Sequence, residues 1–429
     1  VYVERHANRL VFLVRTCLSL SIAASLALVA APVAAQEIPD PLPLDSVAVT
    51  RSRLTGDWWG ARSYLADHGV TLDVDYTATY QGLVSGTKDK DSGYGGKVDA
   101  FFNLDSGGLG LWEGGGLRTH VEYRHGDAWA NLGNTLFATN TALLWPVDAR
   151  EEIVATSIYL AQQAGDRVNI LVGKFNPVDL LAADAFFGGW GTRRFMNLIF
   201  VAPPSGLVPP VFMGAVTSVR TAPVTWTLMV FDPNDRTTDY FPGDLFKDGV
   251  NVSASGAHTA KLAGRSTTYT VTANYSTAEG VNYSTLPPGF ETTNKTGAYN
   301  ISFQFTHNLQ ESADGPDADW GFYFKVAIAD GNPNYVKASV LGGIGGRALF
   351  LGRPQDSFGV GGFYYNLSDA LENSLDPVAD FGDEAALSVF YAWSAMRWLH
   401  VGGDMQYVFP ARRGGDPGLV VAVRANIWF

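Results

Sequence analysis

Val70-Thr71-Leu72-Asp73-Val74-Asp75-Tyr76-Thr77-Ala78-Thr79-Tyr80 alternates apolar and polar residues without a break. A period of two puts successive side chains on opposite faces of an extended strand. The pattern returns at Val98, Ala100, Phe102 and Leu104, at Leu117, Val121 and Tyr123, and at Tyr269, Val271, Ala273 and Tyr275. It returns again at Tyr299, Ile301, Phe303 and Phe305, and at Trp320, Phe322, Phe324, Val326 and Ile328. These runs exceed the ~5–6 residues of an ordinary strand and reach the ~9–11 that a tilted strand needs to cross a bilayer. A soluble sandwich or propeller also alternates. Its outer face, however, carries charges at Lys/Glu density, whereas the polar face here is mostly Thr, Asn, Ser and Gln. In lipid an open sheet edge leaves backbone groups unpaired, so the sheet must close. Sixteen or seventeen segments can be counted, and the even number of bacterial barrels selects about 16 strands. The expected fold is all-β: a closed antiparallel transmembrane barrel over residues 70–429.

Composition agrees with that reading. The 429 residues are 46% hydrophobic, 13% aromatic and only 17% charged, with 47 glycines. Disordered and coiled-coil chains need more charge and fewer aromatics. A net charge of -12 excludes a nucleic-acid binder that works through a basic surface.

Residues 1–35 read as a secretory signal peptide. Arg5, Arg9 and Arg15 precede an apolar run from Leu18 to Ala30, and Val33 and Ala35 supply small residues for cleavage after Ala35. The single cysteine, Cys17, leaves with that segment, so disulfides, thiolate metal sites and a cysteine nucleophile are excluded from the mature chain. Residues 36–69 form a Pro-rich lead-in and a short periplasmic helix, capped by Asp57 and ended by Gly69 in a left-handed conformation.

Three stretches carry a family resemblance. Leu54-Thr55-Gly56-Asp57-Trp58-Trp59-Gly60-Ala61-Arg62, with Leu65 and Gly69-Val70, resembles the N-terminal signature of OprB-like carbohydrate-selective porins. Val168-Asn169-Ile170-Leu171-Val172-Gly173-Lys174-Phe175-Asn176 and Phe186-Phe187-Gly188-Gly189 resemble that family's strand and inserted loop. Trp398-Leu399-His400-Val401, Asp404-Met405-Gln406-Tyr407-Val408 and Ala425-Asn426-Ile427-Trp428-Phe429 resemble its last two strands. Trp59 departs from the pattern, which usually has glycine there. The resemblance implies passive diffusion of small carbohydrates across the outer membrane. Alternation and spacing by themselves show only a polar-lined barrel, and a general or ion-permeable porin is the alternative. Phe429 shares a face with Leu419, Val421, Val423, Ala425 and Ile427, and a terminal aromatic in that place resembles the signal read by the outer-membrane assembly machinery.

The opposite face of each strand lines the lumen. Its richest run is Arg118, His120, Glu122 and Arg124, spaced at ~6.6–7 Å along one wall. Glu122 beside these bases offers a sugar donors and acceptors together. Asp73, Asp75, Asp99, His400, Asp404, Gln406 and Arg424 share the inward parity with less weight. Residues 176–210 lack sustained alternation and are far longer than an ordinary connection. Phe186, Phe187, Trp190, Arg193, Arg194 and Phe195 make this stretch aromatic and basic, a poor composition for disorder. The resemblance implies that it folds inward and narrows the channel. Trp190 is then placed to stack on a pyranose while Arg193 and Arg194 donate to hydroxyls; packing of the aromatics against the wall is the competing role.

Other chemistries find little support. The seven histidines show no paired ligand spacing, and no cofactor or metal is expected. Asp232-Pro233-Asn234-Asp235 lacks the glycine and distal glutamate of a calcium loop and reads as a turn. Gly342-Gly343-Ile344-Gly345-Gly346 precedes no helix and reads as a flexible turn rather than a phosphate cradle. An embedded lipid hydrolase would need a serine nucleophile near His120 or His400, and no serine motif supplies one. The oligomeric state is left open.

Overall fold

Tyr80 is 56% exposed, whereas Thr79 and Gln81 on either side of it are 1% and 5% exposed. The apolar residue faces out and the polar ones face in, the reverse of a water-soluble sheet. The same inversion runs around the molecule: Trp226, Leu228, Val271, Ile301, Phe324, Leu387, Met405 and Val423 are exposed, while Thr270, Thr272, Ser302, Gln304, Ser388 and Gln406 are buried. Only a lipid-facing barrel gives alternation this polarity.

The computed structural model describes residues 51–86, 91–127, 132, 135–146, 152–182, 184, 186, 188–201, 207–286, 292–312, 319–376 and 380–429. The signal peptide expected at residues 1–35, the first part of the lead-in and Phe187 lie outside the described residues. In chain order the elements begin with α1 (Ala61–Asp67), β1 (Val70–Ser85), β2 (Ser92–Asp105) and β3 (Gly115–Gly126). Next come α2 (Thr141–Leu144), β4 (Ile153–Ala164), β5 (Val168–Phe175), α3 (Pro177–Leu181) and α4 (Leu198–Val201). β6 (Phe212–Thr221), β7 (Val224–Phe231), β8 (Asn251–Leu262) and β9 (Arg265–Ser276) precede the small pair β10 (Gly280–Val281) and β11 (Asn294–Lys295). The chain continues with β12 (Ala298–Gln310), β13 (Trp320–Ala329), β14 (Val336–Ala348) and β15 (Arg353–Leu367). It finishes with α5 (Asp369–Leu375), β16 (Glu384–Met396), β17 (Leu399–Phe409) and β18 (Gly418–Trp428).

All the strands except β10 and β11 form one closed antiparallel sheet of sixteen, each beside its sequence neighbour and β1 beside β18. At the seam Asp75 lies opposite Trp428 and Tyr80 opposite Val423. No helix among the described residues is long and apolar enough to cross a membrane; the crossing is made by strands.

The two rims differ. At one, connections are tight: Ala222-Pro223 joins β6 to β7, and Ala263-Gly264 joins β8 to β9. Ala263 and Gly264 both have positive φ, 51° and 78°, the backbone that matches the twist of a two-residue hairpin. The other rim carries the long connections, including residues 127–152, 176–211, 232–250, 277–297 and 368–383. Short turns face the periplasm and long loops the exterior in outer-membrane barrels, which orients the molecule.

Helix α1 lies at the short-turn rim. Asp57 Oδ1 accepts from Ser63 N at 3.0 Å and Ser63 Oγ at 2.9 Å, and Gly69 ends the helix at φ 76°. Trp59 occupies φ 58° and is 94% exposed. A glycine adopts that left-handed backbone without strain, which explains why the family pattern favours one there. Arg62 Nη2 donates to the Phe429 carbonyl at 2.8 Å, and Leu54 N donates to the Trp428 carbonyl at 2.7 Å, so this segment is tied to the seam.

Gly342 to Gly346 do not form a turn. They lie within β14, paired with β13 and β15. Glycine hides the alternation that would have marked a strand, and its small size serves packing: a Cβ on Gly343 would come within 3.1 Å of the Tyr323 hydroxyl.

Candidate functional site

The apolar core of this barrel lies inside it, where the loop between β5 and β6 folds into the lumen. Asn176 caps α3, its Oδ1 accepting from Val178 N at 3.1 Å, with Pro177 at the first helical position. Farther along, Phe195 stacks on Phe200 with ring centroids 4.3 Å apart and meets Phe390 of β16 edge-on at 4.8 Å. Phe200 meets Phe363 of β15 at 5.6 Å. Glycines in the wall make this approach possible: a Cβ on Gly359 would lie 2.7 Å from Phe195, and one on Gly361 would lie 2.9 Å from Phe200. Polar bonds reinforce the seat, with Asn197 Nδ2 donating to Gln406 Oε1 at 3.0 Å and Arg424 Nη1 to the Gly191 carbonyl at 3.2 Å.

A second insertion accompanies it. Residues 135–146, between β3 and β4, run beside the first loop, with Thr141 N donating to the Met196 carbonyl at 2.8 Å and Leu198 N to the Ala138 carbonyl at 2.9 Å. Gln81 Nε2 reaches Thr139 Oγ1 at 2.8 Å, and Leu136 N reaches Glu384 Oε2 at 2.8 Å. Sequence reasoning missed this element. The available signal was the loss of alternation over residues 127–152, of the same kind as over residues 176–210.

The inward run on β3 becomes part of a buried ionic ladder. Register sets Lys97 opposite Arg124 and Asp99 opposite Glu122, pairs of like sign that would repel. The side chains pair instead along one diagonal, Lys97 with Glu122, and between next-but-one neighbours on each strand. Lys97 Nζ lies 2.6 Å from Glu122 and 2.7 Å from Asp99, and both Arg124 terminal nitrogens reach Glu122 at 3.3 Å. Arg124 also donates to the Ala142 and Trp145 carbonyls at 2.6 and 2.5 Å, which ties the second insertion to the wall. His120 sits between Asp99 and Asp179 with a ring nitrogen 2.8 Å from each carboxylate. An acceptor on both sides makes both nitrogens donors. Asp179 belongs to α3 and accepts as well from Ser157 Oγ at 2.5 Å and Trp190 Nε1 at 2.7 Å. The ladder thus joins β2, β3, β4 and the inserted loop, with Lys97, Arg124 and His120 balancing Asp99, Glu122 and Asp179.

Asp99, His120 and Glu122 offer ligand atoms within 4.8 Å of one another, the spacing of a metal site. Lys97 Nζ fills the cationic position between the two carboxylates, and both His120 nitrogens are engaged, so the donor set does not suit an ion. The turn at Asp232 is likewise occupied by a residue. Burial works against the charge of Arg236, but Asp232, Asp239 and Asp244 outweigh it and hold the guanidinium above its ordinary range.

The remaining sequence candidates separate. Arg118 turns away from Glu122 and donates to the Leu104 and Leu117 carbonyls at 2.8 and 3.2 Å. A register shift against β4 falls between His120 and Val121, with Thr156 the extra residue on β4, while the pairing of β3 with β2 runs on unbroken. Trp190 is 8% exposed, held by Asp179 on one side and packed against Phe101 at 5.4 Å on the other. Arg194 donates to the Asp184 carbonyl within its own loop. Arg193 bridges to the Asp75 carboxylate of β1, with side chains 29% and 15% exposed. Its guanidinium lies 5.1 Å from the Trp190 ring and 5.3 Å from that of Trp428. Trp428 faces inward, and His400 meets it edge-on at 4.5 Å. Lys97, Asp179 and Trp428 had not been singled out. Parity alone places Trp428 opposite Ile427 and Phe429, but the partners of Lys97 and Asp179 depend on register and loop placement.

The family model described as "Carbohydrate-selective porin, OprB family" matches residues 89–429. No curated protein sequence matches. Among solved structures, a high-pH form of Pseudomonas putida OprB is 16% identical, with a TM-score of 0.78 over 90% of this chain and 100% of that one. A low-pH form of the same protein is also 16% identical, with a TM-score of 0.55 over 89% of this chain and 100% of that one. At that identity the likeness to solved structures speaks for the fold, and the family rests on the sequence model. Sixteen closed strands, an inverted polarity and an inward-folded loop agree with both: the chain belongs to the OprB family of carbohydrate-selective porins, channels of the outer membrane.

Proposed function

We propose that a sugar passes the inserted loop at the level of Arg193, Asp75 and Trp428, and that the buried ladder positions the loop without touching the solute. The observation that carries this reading is the Arg193–Asp75 pair, which joins loop to wall through side chains that remain partly exposed. A guanidinium beside a carboxylate offers hydroxyl groups donors and acceptors at one height, and the Trp428 face suits the C–H side of a pyranose. Weak contacts of this kind let a solute enter and leave, whereas a tight site would block the channel. Trp190, which the sequence placed against the sugar, serves in this reading to hold Asp179 and to orient Arg193.

The terminal residue fits the assembly-signal reading. Phe429 N donates to the Val74 carbonyl at 2.9 Å, which carries the seam one pair past Asp75 and Trp428.

Arg193→Ala is expected to raise single-channel conductance in a planar bilayer. The glucose concentration for half-closure should rise about tenfold, the loss of one or two charge-assisted bonds. Unchanged conductance and closure would remove Arg193 from the narrow part of the path. A wild-type channel that glucose never closes would favour the general porin instead.

A further inference from the structure

At the short-turn rim, Trp59, Tyr64, Leu111 and Trp112 are each more than half exposed. The first two precede β1, and the last two lie in the connection between β2 and β3. Trp59 holds a left-handed backbone, where a side chain is strained. Its neighbour Trp58 has the same hand, at φ 52°, but is held from within. The Trp58 indole nitrogen donates to Thr55 Oγ1 at 3.0 Å, and the Arg62 guanidinium lies 4.3 Å from the ring. Trp59 makes no hydrogen bond or ring contact among the described residues. Strain at an exposed tryptophan with no internal contact marks a residue whose contact lies outside the protein.

Helix α1 has the polarity of the strands rather than that of a helix in water. Ala61, Tyr64 and Leu65 share one face, and that face is exposed. The polar side chains turn back into the protein instead. Arg62 reaches Asp73 at 3.3 Å and the Phe429 carbonyl at 2.8 Å, and Ser63 Oγ donates to Asp57.

The connection between β2 and β3 sets this face beside the lipid. Asp105 N donates to the Gly69 carbonyl at 2.7 Å, so the end of α1 abuts that connection. Farther along it, Trp112 donates its indole N–H to Gln162 Oε1 of β4 at 2.9 Å. Gln162 shares the outward parity of Leu160, which is itself exposed. Trp112 therefore lies on the outer wall, at the boundary where an amphipathic ring keeps its apolar body in lipid and its polar edge in water.

We propose that Trp59, the exposed face of α1 and the connection between β2 and β3 lie in the phospholipid headgroup layer of the periplasmic leaflet. This is a lipid contact made outside the barrel wall, and it is independent of the sugar path. Burial of the Trp59 ring at the interface offsets the strain of its backbone. The glycine of the family pattern would relieve that strain and give up the contact, so the anchor belongs to this chain.

Cys17 is the sole cysteine, so protein without residues 1–35 takes one nitroxide at one introduced thiol. The labelled protein is refolded into phosphatidylcholine vesicles. Collisions of the label are then measured with oxygen, which concentrates in lipid, and with a nickel chelate, which stays in water. The oxygen-to-chelate ratio is expected to exceed one for Trp59→Cys, as for Val423→Cys on the lipid face of β18. It should fall below one for Asp380→Cys on a long connection. Leu111→Cys probes the same foot with Trp59 in place and should also exceed one, which keeps the test decisive if Trp59→Cys does not fold. A ratio below one at either position 59 or position 111 overturns the anchor and leaves that face in water, open to a periplasmic protein.

Discussion

Glu122→Ala is expected to destabilise the barrel by about 3 kcal/mol, near the low end of what breaking a buried ion pair costs. The residue sits at the centre of the ladder, 2.6 Å from Lys97 and 3.3 Å from Arg124. Its removal leaves Lys97 with Asp99 alone and Arg124 with two backbone carbonyls. Those surviving partners keep the loss from the top of the range. Resistance to urea in detergent, followed by the mobility of unheated protein on a gel, gives the stability. Open-channel noise gives the function, because Arg124 ties the second insertion to the wall and a freed insertion would flicker. A double variant, Lys97→Met with Glu122→Ala, removes one charge of each sign and should recover much of the loss. If the double variant loses the sum of the two single effects, the two residues act independently and the ladder is not a unit.

Phe195→Ala should cost about 3–5 kcal/mol, the usual range for deleting a buried aromatic ring. The ring is 2% exposed and lies against Phe200, Phe390 and the bare backbone of Gly359. Without it the loop loses its seat on the far wall, so conductance should rise as stability falls. Gly359→Ala presses on the same contact from the other side, since its Cβ would meet Phe195 at 2.7 Å and Phe390 closer still, and overpacking of this kind costs about 1–3 kcal/mol. A stability loss in both variants with no change in conductance would mean that this part of the loop packs the wall without narrowing the channel.

The barrel was legible because the lipid imposes one rule on every strand. Tyr80 out and Gln81 in needs no knowledge of what either residue touches. The ladder follows a different logic. Lys97 and Glu122 meet because β2 and β3 are in a register that sets like charges opposite each other and leaves the diagonal as the favourable pairing. Alternation is blind to that offset. Asp179 is harder still, since its contact with His120 depends on how a loop of irregular backbone crosses to the wall. Parity assigned His120, Glu122 and Arg124 to the lumen side correctly, but solvent access was not part of that information. All three are 1–2% exposed, whereas Arg193 keeps 29% of its side chain open, and that difference is what the proposed sugar path is built on. Glycine produced the remaining error, in β14, where the side chains that would have shown the period are missing.

The pairing of β1 with β18 has a kinetic side. The hydrogen bonds between Ala78 and Ala425, or Tyr80 and Val423, join residues from opposite ends of the chain. Contacts of such long range form slowly, because the closure entropy is lost before any bond compensates for it. Until β18 arrives, every partial sheet has two unpaired edge strands, each a template for another copy of the same chain. Export therefore delivers a polypeptide that cannot fold segment by segment as it emerges. It must be held apart from its siblings until the last strand is present, and the risk of aggregation is concentrated in that interval.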